Sequence, residues 1–418
     1  MSREGAMMPD IQILDNDIWA TRVPHPEFKM LRAQDPVAWF DEPDRNSGFW
    51  AITRLDDLVA VHRDYRTFSS QVGGTELEEL ERDPEAREAR RTMLETDPPE
   101  HTRIRKLVSR SFTRRAIGKW ESTARALISE AIDGALAEGK VDFVDAVARR
   151  LPIQMISKLL GVPDRDAEEL FHWADSVVYH ADPDFSDVLY DKDDTDPYRL
   201  LPFRSPNSLK VFEYAQRLAA EKERRPESDV VSMLAASDDL TPLEFQTFFL
   251  LLVIAGNETT RHSLSHGALA LAEFPDQLHR LRESHDLIDT ASEEILRWAC
   301  PQIHFRRTAT CDTTLAGVPI SAGDKVVTWY ISANYDEHAF TDPFTLDLGR
   351  DPNPHVTFGG GGPHICLGAW LARLEVRVFL DEVAKRIDRI HLEGEPERIR
   401  SNFINGLKYL PLELEASR

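Results

Sequence analysis

The chain is poor in the features that mark several large classes of protein. Cysteine is scarce, with three in 418 residues at positions 300, 311 and 366. Three cannot form a disulfide framework, and with no CxxC pair they do not form a zinc site of the usual spacing. Positive charge is in deficit: 50 Lys and Arg against 72 Asp and Glu leave a net charge of −22. That balance disfavours nucleic acid and anionic surfaces as partners. Long apolar runs are missing too. The longest, residues 248–256, is well short of the ~20 that a membrane-spanning helix needs, and residues 1–10 lack the apolar segment of a secretory signal. The expectation is a cytoplasmic chain without a membrane anchor. With 42% hydrophobic residues it can bury a large core. No internal repeat or low-complexity linker divides it.

The informative residues concentrate around Cys366. The stretch His355-Val-Thr-Phe-Gly-Gly-Gly-Gly-Pro-His-Ile-Cys-Leu-Gly-Ala-Trp-Leu-Ala-Arg373 puts four glycines ahead of a lone cysteine and an apolar helical pattern behind it. Glycines 359–362 allow tight turning and close approach to a flat ligand. A helix is expected over 367–386, with Leu371, Leu374, Val378 and Val383 near one face. Its start would aim amide groups at the Cys366 sulfur, and donated hydrogen bonds with a positive helix end favour the thiolate, the form that binds metal. No Lys-Ser/Thr follows the glycines and no GxGxxG is present, which argues against a phosphate loop. His364-x-Cys366 could be half of a zinc site, but no second pair completes it.

Taken in order, residues 10–70 read as a small β-rich lobe: a short helix near 26–33, then strands 37–40 and 49–53 joined by the turn-rich 43–48. Residues 71–95 are dominated by Glu and Arg and suggest a mobile loop with a solvated helical piece. Asp97-Pro-Pro-Glu100 reads as a helix start, with Asp97 as N-cap, of a helix running to about residue 112 that sets His101 and Arg105 on one face. Helical patterns continue over 127–160 and 171–179. Residues 180–207, with seven aspartates between 182 and 196, read as a long loop. Thr241-Pro-Leu-Glu244 is a second capping box and opens a helix through Phe274, nearly all apolar until Ala255, that should cross the core. Ala255-Gly256-Asn257-Glu258-Thr259-Thr260 interrupts it with small residues, a carboxylate and hydroxyls able to bond the carbonyl four residues back. Glu258, His262 and His266 also have a spacing that could hold a metal. Glu294-x-x-Arg297 pairs opposite charges on a later helix, and 400–407 reads as a turn between short strands.

The segment Phe358-Gly-Gly-Gly-Gly-Pro-His364-Ile-Cys366-Leu-Gly368 resembles the haem-binding signature of the cytochrome P-450 family. Its Phe lies eight residues before the cysteine, one more than in the commonest bacterial form, a spacing similar to the actinobacterial branch that oxidises sterol side chains and branched lipids. The resemblance covers about 98–412 and implies one mainly α-helical domain over 1–418, with the 10–70 β lobe and a helical haem-binding core over 97–418. It implies heme b held by Cys366 as the metal ligand, with His101, Arg105, Arg307 and His364 at the propionates and Ala255 and Gly368 against the cofactor. Ala255 and Gly256 would make room for O2, and Glu258 and Thr259 would be the acid–alcohol pair that delivers protons. Glu294 and Arg297 match the family's structural pair; its usual third member, an Arg, is Thr345 here, and whether Arg350 substitutes is left open by the sequence. The implied activity is a monooxygenase fed by ferredoxin and ferredoxin reductase. Residues expected to face a large apolar substrate, such as a sterol side chain, terpenoid or branched lipid, are Phe248, Leu251, Leu252, Ile303, Phe305, Phe403 and Ile404. The alternatives are a tailoring hydroxylase for a macrolide or aromatic natural product and a peroxide-using peroxygenase, which would not need Glu258 and Thr259.

Overall fold

The long apolar helix is the axis of the structure. The Thr241 hydroxyl accepts a hydrogen bond from the Glu244 amide (3.2 Å) and the Glu244 carboxylate accepts one from the Thr241 amide (2.7 Å), so the capping box forms as the sequence predicts. From there the helix runs unbroken as Pro242–Glu273. Being apolar nearly all round at its start, it is packed on several sides, by helices Arg150–Leu160, Asp164–Val178, Asn207–Arg224, Ile288–Ala299 and Ala369–Arg386. This computed structural model describes residues 12–42 and 47–417. The 1–10 stretch and most of the expected 43–48 turn lie outside the described residues.

The architecture is mainly helical with a small β lobe, as expected. The largest sheet orders its strands Val37–Glu42, Ser47–Ile52, Lys325–Trp329, His304–Ala309 and Phe68–Ser69. All neighbours are antiparallel except Ser47–Ile52 with Lys325–Trp329, where Phe49 lies opposite Lys325. The lobe assigned to 10–70 is therefore completed by two strands from the second half of the chain. Trp19, Phe28, Phe49, Ile303 and Trp329 form its apolar centre, separate from the core among the helices. No helix among the described residues is long and apolar enough to cross a membrane.

Three local expectations need correction. Asp97 does not cap a helix: helix Glu100–Val108 begins after Pro99, without a side-chain cap, and ends four residues before 112. The Asp97 carboxylate instead accepts from the Ser70 amide (3.0 Å) and the Ser69 hydroxyl, because the two prolines turn it back toward the sheet edge. The helix expected over 171–179 starts earlier, as Asp164–Val178. The two polar segments are irregular as read, but both are tied down by ions. In 71–95, Arg90 is buried and binds Glu78 (2.6 Å) and Glu76 (3.3 Å). In 180–207, Arg199 binds Asp83 (2.9 Å) and Glu85 (2.5 Å), and Arg204 binds Glu78. The two segments are thus joined to each other. Charge density, read as solvation, is here mutual pairing.

Candidate active site

The glycines ahead of Cys366 are required by close packing. Gly359, Gly361 and Gly362 have φ of 99°, 99° and 72°, and a Cβ on Gly362 would lie 2.2 Å from the His62 carbonyl oxygen. The loop lies against helix Leu55–Arg63 and closes on itself where the Cys366 amide donates to the Phe358 carbonyl (2.9 Å). The extra residue between Phe358 and Cys366 is absorbed inside that closure. The Arg373 guanidinium sits 4.4 Å from the centre of the Phe358 ring and binds Glu293.

The helix behind the cysteine starts at Ala369, two residues later than 367, with Gly368 as N-cap. The amides of Gly368 and Ala369, at the start of this helix, favour the charged form of the Cys366 sulfur. Burial is the largest influence on this thiol and pushes its pKa up; the two amides and the charges of Arg105 and Arg373 oppose it. The side chain has protein around it but is open to an internal cavity. Of the other cysteines, Cys300 is buried and Cys311 exposed.

His101, Arg105, Ala255, Arg307, His364, Cys366 and Gly368 all line that cavity, and these seven come from four separate stretches of sequence. His101 and His364 stand 4.3 Å apart, ring centre to ring centre. Burial first, then neighbouring cations, lowers their pKa values to about 4 and about 2, so both are neutral N–H donors. Both ring nitrogens of His101 and Nδ1 of His364 are buried without a partner among the described residues. Arg105 has no carboxylate partner among the described residues, and its pKa is lowered by burial. Arg307 donates to the Arg306 carbonyl (2.7 Å) and faces a ring nitrogen of His62. Four hydrogen-bond donors, two of them cationic, therefore converge without an anion.

The long helix supplies the opposite wall through Leu251, Leu252, Ala255, Gly256 and Thr259. A Cβ on Gly256 would lie 2.7 Å from the Ile156 side chain, so this residue is small to admit the neighbouring helix as well as to open the cavity. The Thr259 hydroxyl donates to the Ala255 carbonyl (2.9 Å) and faces the cavity. Glu258 points to the adjoining compartment, its carboxylate bound by Arg261 and Asn257. Arg261 also binds Asp175 (3.0 Å) and the Tyr179 hydroxyl (2.8 Å). His262 bonds the Tyr179 hydroxyl (2.6 Å) and His266 faces the Asn405 carbonyl (3.1 Å), and no group of three metal-binding side chains exists among the described residues.

Leu252 and Phe305 line the cavity at Cys366, while Phe403 and Ile404 line the adjoining compartment. Two expected substrate contacts do not. Phe248 is buried among the helices one turn before the cavity wall begins. Ile303 is fully buried in the centre of the β lobe, its amide bound to the Phe403 carbonyl (3.0 Å) and its carbonyl to the Tyr330 amide (2.9 Å). Its neighbour Gln302 lines the cavity instead, as do Thr75, Met93, Leu94, Phe112 and Ile156. Met93 and Leu94 were visible as rare aliphatic residues in a charged segment; Gln302, Phe112 and Ile156 carried no local signal.

A family model described as Cytochrome P450 matches residues 209–387. A steroid C26-monooxygenase of Mycobacterium tuberculosis is 39% identical over 415 residues, spanning 96% of this chain and 92% of its own length. A methyl-branched lipid omega-hydroxylase of the same organism is 37% identical over 418 residues, spanning 96% and 94%. Among solved structures, a Mycobacterium marinum cytochrome P450 in complex with pseudoionone is similar with a TM-score of 0.86 and 38% identity, over 98% of this chain and all of that one. The chain belongs to the cytochrome P450 family. As a P450 it is an oxidoreductase of the monooxygenase kind, a class that works with haem iron, O2 and a redox partner.

The residues present fit that group. Partnerless donors suit a dianionic rim, and a sulfur under two amides suits iron. The family pair is also complete: Arg297 holds Glu294 with two bonds of 2.8 Å, and Arg350 binds the same carboxylate at 3.1 Å. Asn353 (3.0 Å) and the Asp347 amide (3.2 Å) add to it, so Arg350 takes the third place and Thr345 does not.

Proposed function

We propose that the protein is a heme b monooxygenase, ligated through Cys366, that hydroxylates a large apolar molecule of the sterol or branched-lipid kind. The observation that carries this is the meeting of Cys366, under the Gly368 and Ala369 amides, with the partnerless donors His101, Arg105, Arg307 and His364 in one apolar-walled cavity. The bound haem supplies oxygen activation when fed electrons. His101, Arg105, Arg307 and His364 would hold its propionates, and the small residues Ala255 and Gly256 would leave room on the cavity wall supplied by the long helix.

Thr259 presents its hydroxyl there, while its bond to the Ala255 carbonyl keeps that hydroxyl in one orientation. Glu258, one residue earlier but tied to Arg261, relays protons from the adjoining compartment. Leu251, Leu252, Phe305, Phe403 and Ile404 bury the substrate, with affinity growing at about 25 cal/mol per Å² of apolar area. The names of the relatives, steroid C26-monooxygenase and methyl-branched lipid omega-hydroxylase, support that substrate class.

The electron donor is an acidic ferredoxin, in turn fed by its reductase, at the exposed cations Lys106, Arg110, Arg114 and Arg115. Arg103 and Arg377, equally basic in sequence, are paired with Glu100 and Glu121 and drop out of that surface. The test is the reduced carbon monoxide spectrum of the loaded protein and of Cys366→His. The thiolate-type band should be present in the first and absent from the second; its survival in the variant would overturn the ligand. Spectral titration with neutral sterols and with amine-bearing macrolides, followed by product analysis, tests the substrate: productive binding of the amines alone would reject it.

A further inference from the structure

Arg307 reaches the cavity from strand His304–Ala309 and is 4% exposed, yet both of the groups that hold it are uncharged. Nη1 donates to the Arg306 carbonyl (2.7 Å), and Nη2 faces Nδ1 of His62 at 3.5 Å, near the outer limit of a hydrogen bond. A guanidinium carries only donors, so the ring nitrogen that faces it is the one with the lone pair. The proton of His62 is therefore on Nε2. Two oxygens stand there to receive it, Thr328 Oγ1 at 3.1 Å and the Tyr330 hydroxyl at 3.0 Å. Thr328 donates its own proton to the Phe305 carbonyl (2.9 Å), which leaves its oxygen free to accept. Burial, followed by the charge of Arg307, holds the His62 pKa well below its ordinary value, so the ring stays neutral.

The sheet brings these groups together. Arg307 lies opposite Val326, and Thr328 is two residues further along the same strand, so the side chains of Arg307 and Thr328 stand on one face. Helix Leu55–Arg63 brings His62 to that face. The main chain of the same residue touches the glycine loop: a Cβ on Gly362 would lie 2.2 Å from the His62 carbonyl oxygen, and one on Gly360 would lie 3.1 Å from the His62 Cβ. His62 thus stands between the loop that carries Cys366 and the arginine at the cavity, and is itself absent from the cavity wall.

We propose that His62 is a positioning residue that aims Arg307 into the cavity while leaving its charge uncancelled, with Thr328 and Tyr330 fixing the tautomer that this requires. The proposal rests on the reading of the cavity as a haem site with Arg307 at a propionate. A carboxylate in the place of His62 would hold the guanidinium more firmly, but it would neutralise the cation before the ligand arrives. A neutral acceptor gives direction alone. Asp97 and Glu95 act on Arg307 only through space, and no carboxylate bonds it among the described residues. The propionate is then the first bonded counter-charge that Arg307 meets.

The experiment uses the loaded full chain and reads haem transfer to an acceptor protein and the reduction potential of the iron. The variants are His62→Gln, His62→Leu and His62→Glu, each alone and combined with Arg307→Ala. His62→Gln keeps a neutral acceptor and should stay close to wild type in both readings. His62→Leu removes the acceptor and should speed haem transfer roughly fivefold, the size of one ordinary hydrogen bond. That acceleration should vanish in the Arg307→Ala background, because the two residues act as one unit. His62→Glu puts an anion beside the cation, so the reduction potential should fall below that of both wild type and His62→Gln. His62 is buried, and Thr328→Val, close in shape, is the milder variant: it removes one acceptor of the Nε2 proton and should quicken haem transfer by a smaller factor, again only while Arg307 is present. An acceleration by His62→Leu or Thr328→Val that persists undiminished without Arg307, or a potential in His62→Glu equal to that in His62→Gln, would overturn the positioning role and leave the haem reading intact. If the wild-type chain takes up no haem, that reading falls and this proposal with it.

Discussion

The two charged regions that face the cavity follow opposite rules. Around Cys366, among the described residues, the arginines Arg105 and Arg307 have no carboxylate partner and two histidines have partnerless nitrogens. At the mouth, Arg90, Arg199 and Arg204 are all paired with carboxylates. An unpaired buried cation costs several kcal/mol unless something anionic joins it, so a cluster of them marks a ligand. A paired one is part of the scaffold. In this molecule the electrostatic deficit, more than the count of charges, locates the binding site.

The contrast can be broken most severely where pairing is complete and buried. Arg297 and Glu294 are fully buried, and Arg297→Ala would leave the carboxylate with Arg350 as its remaining cation, beside Asn353 and the Asp347 amide; the expected loss is ~3–5 kcal/mol of stability, read from urea unfolding or as failure to accumulate. A second effect comes from buried histidines. His262, His266 and His304 are held neutral by burial, with His266 and His304 lowered to about 3. Their folded pKa values lie below the unfolded value of about 6.5, so the unfolded state takes up protons first. Stability is full above pH 6.5 and is lost as pH falls toward the folded values. Glu76, raised to about 7, pulls the other way between its ordinary value and pH 7, and the unfolding midpoint should still drop from pH 7 to pH 5. A midpoint that rises over that range would contradict these assignments.

At the unpaired end, Arg105→Ala and Arg307→Ala should each speed haem loss to an acceptor protein by roughly tenfold, the size of a lost charge-assisted hydrogen bond, while the haem-free chain changes little in stability. Equal haem retention in both variants would remove the basis of the contrast. The smallest effect belongs to the mouth, where Arg204→Ala cuts one link between the two walls. Ligand release should quicken by roughly two- to threefold at low salt, a difference that disappears as salt screens the remaining pairs.

Much of this site was legible because its chemistry is local. Gly359–Gly362, Cys366, His101, Arg105 and the Ala255–Thr259 run each carry their meaning in a few adjacent residues, and the capping box at Thr241 formed as read. The fold class followed from the family resemblance that the local motif around Cys366 carries. What failed depended on distant partners. Asp97 has the look of an N-cap until the Ser69–Ser70 edge competes for it. Ile303 and Gln302 differ by one position, and only their contacts with Phe403 and Tyr330 decide which meets the cavity. Residues 71–95 read as solvated because the arginines that bind their glutamates lie partly in 180–207, across a gap in sequence that no periodicity bridges.

The packing of the glycine loop against helix Leu55–Arg63 also constrains how the gene can be recombined. Gly360 lies against Leu58, Val59 and His62, and Gly362 against the His62 backbone, although some three hundred positions separate the two segments in sequence. A chimera that imports the cysteine loop from a relative with side chains at these positions, while keeping this helix, will collide backbone to side chain. The two must be exchanged as one block. Crossover libraries should show that linkage as paired inheritance of 55–63 and 359–362 among every variant that still binds haem.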